Sequence, residues 1–174
     1  MAGGVRTAVA ADAASMGSVQ VRAWQVAYRG LMPDEYLDGL VPAEREAMWA
    51  NAFDQPLHGQ LIFVVEEGGS VRGFAAAGPE GMRAEETATG ELYAINIDPS
   101  SWGRGLGGLL LRAVEGVLQG SGYLQAVLWV LPGNDRAISF YQRAGWTADG
   151  SEKEADALGV AVREVRYRRQ FPIA

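Results

Sequence analysis

The stretch D-P-S-S-W-G-R-G-L-G-G-L-L-L, from Asp98 to Leu111, narrows the folds open to this chain more than any other. A β-prone run, Glu91–Ile97, leads into it, and Asp98-Pro99 ends that run. Behind it, Leu106, Leu109, Leu110, Ala113, Val114, Val117 and Leu118 recur at the spacing of one helical face. Gly120 and Gly122 then close the helix. Between strand and helix, four glycines fall within the six residues Gly103–Gly108. The first N–H groups of a helix have no internal partner and carry the positive end of its dipole. Glycines let a backbone approach an anion without Cβ obstruction. The arrangement predicts a phosphate cradle, best suited to a pyrophosphate.

The remaining order predicts a mixed sheet in an α/β setting. Val5–Val9 alternates as a first strand. Asp12 stands where a helix would be capped, and Met16, Ala23, Trp24, Ala27 and Leu31 share a face of that helix. Arg29-Gly30 and Pro33 stop it. Met32–Leu40 reads as a short, turn-rich helix, and Pro42 opens another through Phe53. Leu61–Glu67 and Val71–Gly78, around Gly68-Gly69, form a hairpin. Pro79–Thr89 reads as a loop. Tyr123–Leu131 is a strand, and Asn134 caps a helix carrying Ala137, Ile138, Tyr141 and Ala144 on one face, which Gly145 ends. Trp146–Ser151 and Val160–Arg169 are closing strands, joined by the acidic stretch Glu152–Asp156. Without a repeat or linker, residues 1–174 read as one domain.

Composition removes several kinds of chemistry. The chain has 174 residues and no cysteine, so neither a disulfide framework nor a catalytic thiolate is possible. A cytoplasmic setting is then the default. No apolar run is long enough to span a membrane, and the N-terminus does not read as a signal peptide. A net charge of −6 argues against nucleic acid as a partner. Lys153 is the sole lysine and His58 the sole histidine, the latter in a turn, so a His/Cys metal site is excluded. Glu66-Glu67 and Glu85-Glu86 read as solvated loop charges.

The glycines also match G-x-G-x-x-G, the dinucleotide fingerprint, from Gly103 to Gly108. That fingerprint wants a ribose-binding acid about 20 residues on, at the end of the next strand. Here that strand ends in Leu131-Pro132-Gly133. A nicotinamide-dependent oxidoreductase is the weaker reading.

Trp102-Gly103-Arg104-Gly105-Leu106-Gly107 resembles the Q/R-x-x-G-x-G/A signature of the GNAT superfamily of N-acetyltransferases, with tryptophan at its first position. N-D-R-A-I-S-F-Y-Q-R-A-G-W, from Asn134 to Trp146, resembles that family's N-x-x-A-x-x-x-Y-x-x-x-G-F segment. Leu92–Pro99 is similar to its splayed fourth strand, and Trp24–Pro33 to one bacterial subgroup. The resemblance implies a mostly antiparallel central sheet of six to seven strands flanked by helices. It implies acetyl-CoA as co-substrate, no metal, and a small-molecule or peptide amine as acceptor. It further implies direct attack of the amine on the thioester, by a monomer or homodimer, with no nucleic acid or membrane partner. A binding module without turnover is the alternative.

The resemblance also assigns roles. The backbone of Trp102, Gly103, Arg104, Gly105, Leu106, Gly107 and Gly108 would hold the cofactor, with Ile95, Ile97 and Asn134. Tyr141, seven residues after Asn134, would be the general acid. Glu91, eleven residues before Trp102, would be the general base. Strand alternation puts Glu91, Tyr93, Ile95 and Ile97 on one face unless a bulge intervenes. Trp24 and Tyr28 would wall the acceptor site, with Met32, Tyr36 and Asp34 or Glu35. Trp24 also suits core packing.

Overall fold

The computed structural model describes residues 4–82, 88–157 and 159–172. Seven strands form one sheet: β1 (Gly4–Thr7), β2 (Leu61–Glu67), β3 (Ser70–Pro79), β4 (Thr89–Ile97), β5 (Gln125–Val130), β6 (Thr147–Asp156) and β7 (Ala161–Gln170). Their spatial order is β1-β2-β3-β4-β5-β7-β6. Every pairing is antiparallel except that of β4 with β5. Among the described residues five α-helices accompany the sheet: α1 (Ala13–Ala27), α2 (Asp34–Asp38), α3 (Pro42–Asp54), α4 (Leu106–Gly120) and α5 (Asp135–Arg143). Among the described residues no helix is long and apolar enough to cross a membrane.

Helix α4 packs on one face of the sheet, where Leu106, Leu110, Leu111, Val114 and Leu118 meet Val65, Ala75, Leu92 and Leu128. Each such side chain, fully buried, contributes about 1.5–3 kcal/mol. Four glycines lie inside this helix, and each costs about 1 kcal/mol relative to alanine. Packing therefore decides that it is helical. The buried stripe is turned slightly from the expected one: Leu111 is inside and Val117 exposed.

The opposite face is covered by α1 and α3, through Met16, Val19 and Trp49 against Val64 and Phe74. The two helices touch at Gly17, where an added Cβ would lie 2.6 Å from the Glu46 nitrogen and 2.8 Å from the Pro42 oxygen. Beside that contact, buried Trp49 Nε1 donates to Gln20 Oε1 at 2.8 Å.

Several expectations are corrected. Asp12 precedes α1 without capping it, because its carboxylate accepts from Val9 N–H at 2.8 Å and from Arg6. Glu152–Asp156 is strand, not a connecting stretch. It lies at the sheet edge opposite Ala161–Val165, held by Arg163–Glu152 at 2.5 Å and Lys153–Glu164 at 3.4 Å. Charged residues are at home on an edge strand. Glu66 and Glu67 end β2 and pair with Arg6 and Arg104. Pro79 and Thr89 belong to strands, and Glu85-Glu86 lies outside the described residues.

The strand alternation expected for Glu91, Tyr93, Ile95 and Ile97 also fails. The β3–β4 register runs Ala76↔Ala94 and then Ala77↔Leu92, so Tyr93 is an extra, bulged residue. Leu92, Ile95 and Ile97 consequently share the α4 face, while Tyr93 and Ala94 turn to the α1/α3 face.

Gly17→Val should force α1 from α3 and cost about 1–3 kcal/mol, the usual range for overpacking. Urea denaturation monitored by tryptophan fluorescence measures it. A midpoint equal to that of the parent protein would refute the close contact.

Candidate active site

The site begins where β4 and β5 separate. Their parallel pairing covers Thr89↔Gln125 to Leu92↔Leu128 and stops. Beyond it, β4 stays paired to β3 and β5 to β7. The Tyr93 bulge bends β4 at this point, as bulges do. The wedge opens a cavity of about 830 Å³, lined by Leu92–Ile97 on one side and Trp129–Leu131 on the other. That volume is typical of small-molecule sites.

The glycine turn borders one end. Asp98 N-caps a short 3₁₀ turn, Pro99–Ser101, accepting from Ser100 N–H at 3.0 Å and Ser100 Oγ at 2.7 Å. Arg22 of α1 donates to it at 2.7 Å. Burial alone would raise the Asp98 pKa, but the Ser100 and Arg22 bonds prevail and hold it below the usual carboxylate value. Gly105 precedes α4 in the left-handed region, at φ 81°. Leu109 N–H bonds back to Gly105 O at 3.2 Å. The amides of Leu106, Gly107 and Gly108 stand ahead of it, where a helix supplies no acceptor. Gly103, Gly105, Leu106, Gly107 and Gly108 all line the cavity.

Arg104 does not. Its guanidinium turns to Glu67 at 2.8 Å. Trp102 lines the cavity, and its Nε1 donates to Ile97 O at 2.8 Å. Ile95 and Ile97 line it from β4 while also packing on the α4 side. Asn134 caps α5, accepting from Ala137 N–H at 3.2 Å, and still reaches the cavity.

Tyr141 is both core and cavity wall. It is buried beside Phe140 and Trp146 and lines the wedge from α5. Burial, followed by the proximity of Tyr28, pushes its pKa well above the ordinary phenol value. Glu91 is buried one residue before the last β4–β5 pair and is not part of the cavity lining. Its Oε2 accepts from Gly81 N–H at 2.7 Å. Burial raises its pKa, partly opposed by that bond and by Lys153.

Trp24 and Tyr28 line the cavity from α1 and its C-terminal cap, packed edge to face at 5.1 Å. Burial and the nearby Glu164 charge push the Tyr28 pKa up to about 12. Met32 joins them, whereas Tyr36 bonds to Ala157 O and stays out of the lining. Asp34 and Glu35 are exposed and also absent from it.

Sequence reasoning missed Glu164 of β7 and Trp129 of β5, which both line the cavity. Lys153 Nζ lies 3.4 Å from Glu164 and 4.2 Å from the centre of the Trp129 ring. Alternation along β7 places Val162, Glu164 and Arg166 on one face, but which face lines a cavity follows only from the strand order. Among the described residues no cluster of three or more His, Cys, Asp or Glu could hold a metal.

Comparison with known proteins supplies the family. A model of the acetyltransferase (GNAT) family matches residues 22–146. The uncharacterized N-acetyltransferase YuaI of Bacillus subtilis is 35% identical over 164 residues, spanning 92% of this chain and 89% of that protein. The mycothiol acetyltransferase of Beutenbergia cavernae is 36% identical over 66 residues, covering 38% of this chain and 22% of that enzyme. Among solved structures, the PaiA N-acetyltransferase of Thermoplasma acidophilum in complex with coenzyme A superposes with a TM-score of 0.78 at 17% identity, covering 98% of this chain and 100% of that one. YncA of Salmonella typhimurium, solved with its cofactor acetyl-CoA, gives 0.72 at 22% identity, covering 100% of this chain and 96% of that one. The opened sheet, the glycine turn and the family match over most of the chain agree: this protein belongs to the GNAT family of acetyl-CoA-dependent N-acetyltransferases.

Proposed function

We propose that this enzyme acetylates a primary amine by direct attack on the thioester within a ternary complex. The observation that carries the reading is the continuity of one cavity. The glycine turn, the parted strands and the aromatic residues Trp24, Tyr28 and Trp129 all line it. Two substrates can therefore meet without a covalent enzyme intermediate. Residues 1–174 would act as one domain, since β6 and β7 continue the same sheet beyond the family match.

The residues present fit acetyl-CoA. The amides of Leu106–Gly108 suit its pyrophosphate, and the β4 edge at Ile95 and Ile97, free of β5, suits its amide-bearing arm. Asn134 offers a polar group on the facing wall. The amine-to-carbonyl N–C bond forms as the C–S bond breaks, which leaves a thiolate to protonate and an ammonium proton to remove. Tyr141, kept protonated by burial, is the proton donor to the departing sulfur. Glu91 lies outside the lining, so it receives the amine proton through water. Its raised pKa makes it a better acceptor than an exposed carboxylate. The rings of Trp24 and Tyr28 suit an amine-bearing acceptor, either a small amine or a peptide N-terminus, while Glu164 beside them is paired with Lys153.

Three outcomes test the reading. Gly105→Val demands a left-handed backbone from a β-branched residue, so calorimetry should show coenzyme A affinity about five- to thirtyfold weaker, by the roughly 1–2 kcal/mol cost of that conformation. Tyr141→Phe should lower kcat about a hundredfold for the best acceptor in a thiol-release screen of amines, with little change in coenzyme A affinity. A fall in melting temperature with kcat preserved would leave Tyr141 a packing residue only. In the parent enzyme, activity should rise with pH as Glu91 loses its proton, at a pH above the ordinary value for a glutamate. Glu91→Gln should remove that limb, and an unchanged profile would exclude Glu91 as the base.

A further inference from the structure

The first position of the glycine signature is Trp102, where the related pattern has glutamine or arginine, and the structure shows what this tryptophan carries. Its indole N–H is fixed on Ile97 O at 2.8 Å. The 3₁₀ turn leading to it is clamped through Asp98 by Ser100 and Arg22. On this immobilised ring lies the guanidinium of Arg136, from the first turn of α5, with Cζ 4.0 Å from the ring centre. Both residues line the cavity beside Gly103 and Gly105. Arg136 makes no ion pair or hydrogen bond among the described residues, whereas Arg104, inside the turn, is taken by Glu67.

A guanidinium stacked by its face keeps its N–H donors free around its edge. Stacking also restricts a long side chain that would otherwise lose rotamer freedom on binding. We propose that Trp102 and Arg136 form an anion clamp, in which Arg136 bonds a phosphate oxygen of coenzyme A and Trp102 is its positioning residue. The cation comes from α5 and the amides from α4, and both border the same cavity, so the phosphate would be held between two helices. Such a clamp adds a charge-assisted bond to the uncharged backbone cradle.

The clamp rests on coenzyme A occupying this cavity, and binding of coenzyme A by the parent protein checks that separately. Calorimetry with coenzyme A and 3′-dephospho-coenzyme A, each at two salt concentrations, tests the clamp. Arg136 is exposed, so Arg136→Ala leaves the core intact. It should weaken coenzyme A about tenfold or more, as loss of a hydrogen bond to a charged group does, and flatten the salt dependence. An equal loss for the dephospho compound assigns the bond to the pyrophosphate, and a loss confined to coenzyme A assigns it to the 3′-phosphate. Trp102→Phe, which keeps a ring, should retain most of the affinity. Trp102→Ala should weaken binding in the parent but add nothing in the Arg136→Ala background, which a merely structural tryptophan would not do. Affinity within about twofold of the parent for Arg136→Ala, with the salt dependence unchanged, would overturn the proposal. Additive losses in the double variant would refute the positioning role of Trp102.

Discussion

The separation of β4 from β5 after Leu92↔Leu128 governs the rest of the structure. A continuous sheet satisfies its backbone groups internally and presents only side chains. Once two adjacent strands diverge, their facing N–H and C=O groups need other partners. Here the divergence is stabilised from both sides. The hairpin with β3 holds β4 through its bulge, and β7 holds β5 up to Val130. Helix α5 and the Asn134 cap sit over the gap. The cavity is therefore a consequence of sheet geometry, and the turn at Gly103–Gly108 is placed at its rim because β4 runs directly into it.

Burial sets the electrostatics of this region. Tyr28, Tyr141 and Glu91 all hold their protons more tightly than exposed groups would, with desolvation as the leading cause in each. Asp98 goes the other way, because a serine and an arginine converge on it. One carboxylate is thus kept charged to brace the turn, and another is made more basic near the point where the strands part. The same residue type serves two ends through different surroundings.

Local patterns were legible in the sequence and register was not. The α4 stripe, the Asn134 cap and the glycine turn are written in short-range spacing, and the structure has all three, with the stripe turned so that Leu111 is inside and Val117 is not. The extra residue at Tyr93 depends on how β3 pairs with β4, which no spacing within β4 reveals. Glu164 was hidden for a similar reason: its role depends on β7 inserting between β5 and β6. The charged run Glu152–Asp156 was misread because polarity suggests a loop, yet an edge strand with ion pairs across the ladder accommodates it. Trp102 was visible as a departure from pattern, while its partner Arg136 was fixed only by folding.

The bulge makes the two faces of the sheet chemically unlike at the place where β4 leaves β5. A regular strand would put Glu91 on the same side as Ile95 and Ile97. With one residue added, the carboxylate faces the α1 side while the two isoleucines face α4. The sheet becomes a partition with a carboxylate on one side and an apolar wall on the other, both next to the point where β4 and β5 part.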